Sequence, residues 1–268
     1  MSSFSCPVCA GAQSRVLETQ EDWLVRAAEA DDERKLIGEI VASDPALHFG
    51  AVVRCEGCDL ATVARVPDAQ ALGGFYKRYY ANHSYATKRD KKIARARKRV
   101  RKLAKLTSGR RFLDVGASLG FAVEAARLEG FQAHGVELDP DAVAKASAAF
   151  PDCRFEAGSA GEVAARGETF DVVYCSEVIE HVPDVRAFTD ALLALVAPGG
   201  VLFLTTPADG HPRTPKPLQS WVQVKPPEHL HWFARSHLQT LFDRPGYSVG
   251  RWINVKPGHK LVVRRTAP

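Results

Sequence analysis

From residue 111 onward, short apolar runs alternate with segments of helical periodicity, and this alternation constrains the fold more than any other feature of the sequence. The runs predict strands at 111–116, 132–137, 153–156, 170–175 and 201–206, separated by helices at 121–130, from 139, at 160–166 and at 185–196. The tail, at 247–254 and 259–265, predicts an antiparallel hairpin. The pattern indicates a doubly wound, Rossmann-like α/β domain over 109–268, with a mostly parallel seven-stranded sheet that ends in this hairpin.

The N-terminal segment, 1–70, carries two C-x-x-C pairs separated by 45 residues. Four thiolates on two short turns form the closed tetrahedral set that structural Zn²⁺ prefers, so a small zinc-ribbon-like module is predicted. Its ligands would be Cys6, Cys9, Cys55 and Cys58. A redox-active C-x-x-C and free thiols are the alternatives. Cys153 and Cys175 stand alone in apolar runs and are predicted to be buried strand residues.

Charge is distributed unevenly along the chain. Residues 18–44 hold nine acids against three bases at partly helical spacing, which predicts an acidic helical insertion inside the N-terminal segment. Residues 88–111 hold thirteen Lys or Arg against one acid and form the second half of a link over 71–108. The apolar stripe of this basic helix consists of Ile93, Ala96, Val100 and Leu103. The helix is interpreted as a surface helix packed by its stripe, as a docking face for an anionic partner, or as a segment neutralised by the acidic one.

Composition excludes several classes of protein. The chain has 268 residues, 46% of them hydrophobic, without repeats or low-complexity tracts, so collagen-like and wholly disordered chains are excluded. The longest strongly apolar stretch, 191–204, is interrupted by Pro198-Gly199-Gly200, and no integral membrane association is expected. The N-terminus lacks a basic stretch followed by an apolar one, which favours a cytoplasmic location.

The loop at 114–120, Asp-Val-Gly-Ala-Ser-Leu-Gly, follows the first strand of the α/β domain at the edge where ligands bind in such sheets. Small residues there let a cofactor approach the backbone. The loop matches neither G-x-G-x-x-G nor the P-loop, so dinucleotides and nucleoside triphosphates lose support. Glu137 ends the next strand, where a carboxylate can accept hydrogen bonds from both ribose hydroxyls; the alternative is an acid at a helix start.

Together with the strand at 170–175, the sequence EVIEHVP at 177–183 and APGG at 197–200, these features resemble the class I S-adenosylmethionine-dependent methyltransferases, in the correct order. The resemblance covers about residues 75–265 and implies a site for the methionine, ribose and adenine parts of the cofactor. The implied cofactor-binding residues are Asp114, Gly116, Ala117, Gly120, Glu137, Ser159, Ala160 and Ser176. Two positions depart from the commonest pattern: Ser118 replaces the middle glycine, and Ser159 replaces an aspartate.

The cysteine pairs resemble the zinc-binding leader of bacterial methyltransferases that act on nucleotide sugars, glycans and secondary metabolites. In those enzymes a Tyr-rich link, like FYKRYY at 75–80, runs from the second cysteine pair toward the active site. The resemblance implies that these tyrosines lie near the cofactor or the substrate. Further along the chain, Trp221, Trp232 and Phe233 either line the substrate pocket or belong to the core.

Glu177, Glu180 and His181 lie at i, i+3 and i+4, which places them on one face if the segment is helical. The pattern resembles the Glu-x-x-Glu-His of ubiquinone-pathway O-methyltransferases, where, as in small-RNA terminal 2′-O-methyltransferases, these side chains bind Mg²⁺ or a similar ion. The resemblance implies His229 as the later ligand. Such an ion could lower the pKa of a substrate hydroxyl. Alternatively, His181 or His229 acts as a general base without metal, or both are hydrogen-bonded core groups.

Three functions fit these observations. The first is transfer of a methyl group from S-adenosylmethionine to a hydroxyl of a sugar, glycan end or small metabolite, with Glu180, His181 and His229 as catalytic residues and structural Zn²⁺ in the leader. The second is a metal-assisted RNA 2′-O-methyltransferase with the basic helix as phosphate track, against which stands the lack of interleaved aromatic residues. The third is a non-catalytic binding protein, which the intact acidic and glycine positions disfavour.

Overall fold

The computed structural model describes residues 4–82, 88–250 and 258–266, with side chains except at 80–82. The chain forms a four-stranded sheet, in the order β1-β2-β3-β9, and a seven-stranded sheet, in the order β10-β11-β8-β7-β4-β5-β6. The strands are β1 Ser14–Thr19, β2 Ala51–Cys55, β3 Ala61–Val63, β4 Arg111–Val115, β5 Gln132–Glu137, β6 Arg154–Ala157, β7 Phe170–Ser176, β8 Val196–Pro207, β9 His231–Trp232, β10 Tyr247–Val249 and β11 Gly258–Arg265.

Helices connect these strands, and most of them begin at a residue whose side chain caps the first turn. Thr19, Asp31 and Asp139 each accept a hydrogen bond from a backbone N–H of the helix that follows. The helices are α1 Gln20–Ala28, α2 Asp32–Ala42, α3 Ala69–Asn82, α4 Arg89–Leu103, α5 Phe121–Arg127, α6 Pro140–Ala149, α7 Ala160–Ala165, α8 Val185–Ala194 and α9 Arg235–Phe242. In the ranges described, no helix combines the length and the apolar character needed to span a bilayer.

The seven-stranded sheet confirms the predicted doubly wound fold. Strands β6, β5, β4, β7 and β8 are parallel, and β11 runs antiparallel between β8 and β10. The chain winds outward from β4 to β6 and then returns to the other side of β4 with β7 and β8. This reversal places a crevice at the carboxyl ends of β4 and β7, where doubly wound sheets bind their ligands.

Side chains that alternate along the central strands pack against helices on both faces of this sheet. On β4, Phe112 belongs to a cluster with Val100 and Leu103 of α4, whereas Leu113 packs with the buried residues of α7 and α8. The predicted apolar stripe of the basic helix is therefore buried at Ala96, Val100 and Leu103, and half-buried at Ile93. The interpretation of α4 as a surface helix packed by its stripe is confirmed.

Two expectations need correction. Strand β8 begins at Val196 rather than at 201, because Val196 pairs with Phe170 across an irregularity between Phe170 and Val172 of β7. Cys175 is buried in β7 as predicted, but Cys153 precedes β6 and is half-buried. Neutralisation of α4 by the acidic segment receives no support from the described residues, where Arg97 and Arg101 of α4 form ion pairs with Glu129. The predicted hairpin residues 251–254 and the side chain of Tyr80 lie outside the described part.

The small sheet of the N-terminal segment is completed by a strand from the far end of the chain. Strand β9 pairs antiparallel with β3, through Trp232 opposite Ala61 and His231 opposite Thr62. Trp232 and Trp221 are buried with Trp23 in one cluster, and Phe233 is buried in the cluster of the large sheet. These aromatic residues are therefore core. The division of the chain into segments 1–70, 71–108 and 109–268 stays a proposal.

Gly135 in β5 is a position where the packing of the large sheet leaves no room for a Cβ atom. A Cβ atom there would lie 2.8 Å from Ala117 Cβ and 2.8 Å from Phe155 Cδ1. We therefore expect Gly135→Ala to lower the free energy of unfolding by about 1–3 kcal/mol through overpacking, measured by urea denaturation. The matched control is Gly73→Ala on an open face of α3, where a Cβ meets nothing within 4 Å. This control should be neutral or stabilising by up to about 1 kcal/mol; equal losses would contradict the packing account.

Candidate active site

The loop between β4 and α5 presents backbone groups at the crevice. Gly116 and Gly120 have φ angles of +74° and +77°, and a Cβ on Gly116 would lie 2.6 Å from Val178 Cγ2. The N–H groups of Gly116 and Ala117 both donate to the carbonyl of Val136. The loop is thus closed down onto β5, and its small residues leave the crevice accessible to a ligand.

The Glu137 carboxylate is fixed at the carboxyl end of β5 by three backbone donors. Oε2 accepts from Ser118 N–H at 2.8 Å, and Oε1 accepts from Leu138 N–H at 2.8 Å and from Asp139 N–H at 3.2 Å. The residue that replaces the loop's middle glycine therefore orients this carboxylate through its backbone. Asp114, one strand away, is buried; burial and the Glu137 charge raise its pKa well above the usual range.

Ser159 and Ala160 lie beside Glu137 because Gly158 N–H donates to the Glu137 carbonyl at 2.9 Å. Ser159 is the N-cap of α7: its hydroxyl accepts from Glu162 N–H, and the Glu162 carboxylate accepts from Ser159 N–H at 2.7 Å. At this position the sequence therefore supplies a helix cap. Its predicted contact with the adenine stays a prediction.

Ser176 ends β7, and its hydroxyl lies 2.7 Å from Thr205 Oγ1 of β8. Arg99 of the basic helix reaches this point: its Nη1 donates to Tyr174 OH at 2.8 Å and lies 3.5 Å from Ser176 Oγ. Arg99 could not be singled out from the sequence, because it is one of many Lys and Arg residues in 88–111 and no motif distinguishes it. A positive charge therefore stands at the edge of the crevice.

Glu177 does not join the helical face that its spacing suggested. It has a φ of +59°, and a short 3₁₀ turn covers only Ile179–His181. The reason is strand pairing: Glu177 N–H donates to the Thr205 carbonyl at 2.8 Å, which extends β7 past its end before the chain can turn. The Glu177 carboxylate accepts from Thr205 Oγ1 at 2.6 Å and lies outside the group formed by Glu180, His181 and His229.

Glu180 is fully buried beside the crevice. Its Oε2 accepts from Thr206 Oγ1 at 2.9 Å, while Oε1 has no hydrogen-bond partner among the described residues and lies 3.9 Å from His181 Nε2. Burial, together with the nearby Glu177, raises the pKa of Glu180 well above its usual range. An unsatisfied buried carboxyl oxygen is costly unless a ligand or ion completes its contacts.

The rings of His181 and His229 are 4.8 Å apart and nearly perpendicular. His181 Nδ1 lies 2.6 Å from the Glu228 carbonyl, and His229 Nδ1 lies 2.9 Å from the Gln223 carbonyl. Because a carbonyl oxygen only accepts, each Nδ1 carries the proton. Burial lowers the pKa of His181 to about 4 and that of His229 well below its usual range, so both rings are neutral at pH 7. Both Nε2 atoms therefore present lone pairs.

The Tyr-rich link contacts this pair. Tyr76 OH lies 3.3 Å from the Glu228 carbonyl and 3.3 Å from His181 Nδ1, and the ring centroids of Tyr76 and His181 are 6.2 Å apart. Tyr79 is buried and donates to Glu33 of α2 at 2.5 Å. One link tyrosine thus touches the histidine pair, and its nearness to cofactor or substrate stays a prediction.

The four leader cysteines converge on one point. Cys6 Sγ lies 3.5 Å from Cys58 Sγ, Cys9 Sγ lies 3.5 Å from Cys55 Sγ, and all four sulfurs lie within 4.8 Å of one another. A tetrahedron with Zn–S bonds of 2.3 Å has edges of about 3.8 Å, and a disulfide would need about 2.05 Å. The donor set therefore fits Zn²⁺. The sulfur of Cys9 also accepts from Gly11 N–H, which lowers the pKa of its thiol to about 7.

A family model described as a methyltransferase domain matches residues 85–250, more than half of the chain. The chain belongs to this family and is a class I S-adenosylmethionine-dependent methyltransferase. In doubly wound folds ligands bind at the switch point of the sheet, which here is the crevice at the carboxyl ends of β4 and β7.

Curated relatives match only part of the methyltransferase. The ubiquinone biosynthesis O-methyltransferase of Brucella ovis is 37% identical over 103 residues, which cover 37% of this chain and 41% of the relative. That of Rhizobium etli is 37% identical over 111 residues, which cover 39% of this chain and 44% of the relative. The matches thus span about two fifths of the length of these relatives.

Solved structures share the fold. The magnesium protoporphyrin IX methyltransferase of Synechocystis with bound SAH has a TM-score of 0.52 and 16% identity, covering 73% of this chain and 95% of that one. An S-adenosylmethionine-dependent methyltransferase from Mesorhizobium loti has a TM-score of 0.52 and 18% identity, covering 63% and 96%. At these identities the likeness concerns the fold alone.

The cysteine cluster predicts a measurable metal content. We expect the purified methyltransferase to contain about one zinc ion per chain by plasma mass spectrometry, and Cys55→Ser to lose most of it. Cys153→Ser is the matched control, because Cys153 lies apart from the cluster and contacts Glu124 instead. Zinc content that Cys55→Ser leaves unchanged, or that Cys153→Ser lowers equally, would contradict the assignment.

Proposed function

We propose that the enzyme methylates a hydroxyl group of a small organic molecule, such as a sugar, a glycan end or another metabolite. The observation that carries this proposal is the pair of neutral histidines, His181 and His229. Their backbone partners hold the proton on Nδ1, which leaves both Nε2 atoms unprotonated, and Nε2 of His181 lies 3.9 Å from the buried carboxyl of Glu180. A hydroxyl needs a group that accepts its proton, and these atoms supply one. The ubiquinone O-methyltransferase relatives support the same acceptor class.

The cofactor half of the site is proposed from the crevice loops. Glu137 would accept the ribose hydroxyls, and Gly116 and Ala117 would line the methionine part. The remaining proposed contacts are Asp114, Gly120, Ser159, Ala160 and Ser176. Bound there, S-adenosylmethionine supplies an electrophilic methyl group on a sulfonium. The loop fits such a ligand because its glycines carry no side chain and its backbone is held on β5 by the Gly116 and Ala117 N–H groups.

The chain's own residues would handle the proton. As the acceptor oxygen takes up the methyl group, its hydroxyl proton would pass to Nε2 of His181 or His229. Glu180, with its unpartnered Oε1 beside His181, would hold the hydroxyl or stabilise the imidazolium that results. Alignment for an in-line displacement supplies the rest of the rate enhancement.

A cation at Glu180, His181 and His229 is the second candidate mechanism. Their ligand atoms lie within 4.8 Å of one another, and both histidines donate Nδ1–H to backbone carbonyls, which is the usual arrangement behind a metal-bound imidazole. Glu177 is not part of this group. A cation there would take over the activation of the hydroxyl, and the two histidines would act as ligands rather than as bases.

The carboxylate of Glu137 predicts how cofactor affinity responds to mutation. We expect Glu137→Ala to weaken binding of S-adenosylhomocysteine by about 10- to 100-fold in calorimetry, because a half-buried, hydrogen-bonded carboxylate is lost from the ribose site. The control is Asp141→Asn, an exposed acid in the first turn of α6. Unchanged affinity in Glu137→Ala would contradict the cofactor assignment, and no binding by the wild type would favour a non-catalytic protein.

The acceptor class is tested by transfer of labelled methyl into an extract of a deletion strain, separated into metabolites, glycans, RNA and protein. We expect label in metabolites or glycans; nuclease-sensitive label would overturn the proposal in favour of RNA. With the labelled fraction as substrate, both His181→Asn and His229→Asn should reduce methyl transfer while S-adenosylhomocysteine still binds. The variant that removes the general base should reduce it by about 10²- to 10⁴-fold. His48→Asn, an exposed leader histidine, should be silent.

Chelation separates the two mechanisms. The cation mechanism predicts three results: a chelator that leaves the leader zinc in place abolishes methyl transfer, added Mg²⁺ restores it, and Glu180→Gln also abolishes it. If chelation changes nothing while the histidine variants are inactive, the histidine acts directly as the base. If neither chelation nor any of these variants affects transfer, both mechanisms are wrong.

A further inference from the structure

The segment from Gln223 to Trp232, called here the histidine loop, contains His229 and supplies the carbonyls that hold both histidines. The leader holds this loop in place. Trp23 Nε1 of α1 donates to the Val224 carbonyl at 3.1 Å, and the Leu230 carbonyl accepts from Val63 N–H at 2.9 Å. The loop is thus attached to the N-terminal segment along most of its length.

One buried cation joins the leader to the centre of the loop. Lys225 Nζ lies 2.8 Å from Glu33 Oε1 of α2 and 2.7 Å from Glu228 Oε2, and its side chain is 10% exposed. Tyr79 of the link donates to the same oxygen of Glu33. A buried ammonium is stable only when paired, so removing either carboxylate leaves a strong driving force for the loop to rearrange.

The position of this ion triad matters because of what Glu228 does with its backbone. The carbonyl of Glu228 accepts Nδ1–H of His181, and the next residue is His229. Lys225 therefore holds the side chain of the residue whose carbonyl sets the His181 tautomer. Glu33 anchors Lys225 from α2, 192 residues earlier in the chain.

Three other buried histidines show the opposite arrangement. His231 Nε2 lies 3.0 Å from the Val182 carbonyl, His237 Nε2 lies 2.7 Å from the Cys58 carbonyl, and His259 Nε2 lies 3.0 Å from the Phe233 carbonyl. By the same argument these three carry the proton on Nε2. His181 and His229 differ from them in the tautomer that their surroundings impose.

We propose that Lys225, clamped between Glu33 and Glu228, is a positioning residue that fixes the Nδ1–H tautomer of His181, so that the leader determines which ring nitrogen faces the acceptor. The kinetic consequence rests on the proposed function; the tautomer does not. A merely structural lysine would stabilise the fold without biasing the ring of His181.

The test is nuclear magnetic resonance of the full chain labelled with ¹⁵N-histidine, in which long-range correlations report which ring nitrogen is protonated. His181→Asn assigns the His181 signals. We expect the wild type to show His181 and His229 as Nδ1–H, and His231, His237 and His259 as Nε2–H. In Lys225→Met and in Glu33→Gln, His181 should lose its pure Nδ1–H signature while His237 and His259 keep theirs.

Matched variants separate positioning from stability. Lys225→Arg should preserve the His181 signature, because it restores the buried charge. Lys145→Met on α6 and Glu39→Gln on α2 remove the same groups at exposed sites and should change nothing. If Lys225→Met does not fold, the charge-balanced Lys225→Met/Glu228→Gln variant replaces it. An unchanged His181 signature in a folded Lys225 or Glu33 variant would overturn the proposal.

Kinetics completes the test once a labelled acceptor fraction is in hand. We expect Lys225→Met and Glu33→Gln to lower kcat by about 10- to 100-fold, with KM for S-adenosylmethionine within about twofold of the wild type. If the tautomer shifts but no hydroxyl acceptor exists, the proposed function fails and the positioning role stands. If transfer to hydroxyls is found and the tautomer does not shift, the positioning role alone fails.

Discussion

The site depends on where the backbone of one loop is held. Gln223 and Glu228 offer carbonyls to His229 and His181, and those two hydrogen bonds leave Nε2 of both rings unprotonated; Nε2 of His181 lies 3.9 Å from Glu180 Oε1. The loop itself has little regular structure, so its position comes from its neighbours. Leader strand β3 pairs with β9 at its end, Trp23 caps its Val224 carbonyl, and Lys225 ties its middle to α2. The N-terminal segment thereby packs against the histidine loop and fixes its position.

The large sheet brings two groups of residues to one edge, the proposed cofactor-binding residues and the proposed acceptor-binding residues. Its reversal between β4 and β7 opens a crevice that the glycine loop and Glu137 line from one side. The end of β7 at Ser176 and the residues up to His181 line it from the other side, and Thr205 and Thr206 of β8 hold the carboxylates of Glu177 and Glu180. In the proposed function, the cofactor and acceptor groups meet because parallel strands end together.

Most of the large sheet could be predicted from sequence, since strands at 132–137 and 170–175 are short apolar runs with clear boundaries, and the observed strands differ by a residue or less. Local spacing failed at Glu177, where pairing with Thr205 overrode the helical period. The role of Lys225 could not be predicted from local spacing, because its partner Glu33 lies far away in sequence and a single lysine forms no pattern. Arg99 was hidden among twelve other cations of 88–111 for the same reason.

The central claim is that the histidine pair faces the cofactor crevice across the space where the acceptor binds. A crystal structure of the chain with S-adenosylhomocysteine tests it most directly. The account predicts the cofactor ribose on Glu137 and the sulfur directed toward Nε2 of His181 and His229, with open space for one hydroxyl-bearing group between them. A sulfur separated from both rings by protein atoms, or a ribose bound away from Glu137, would contradict it.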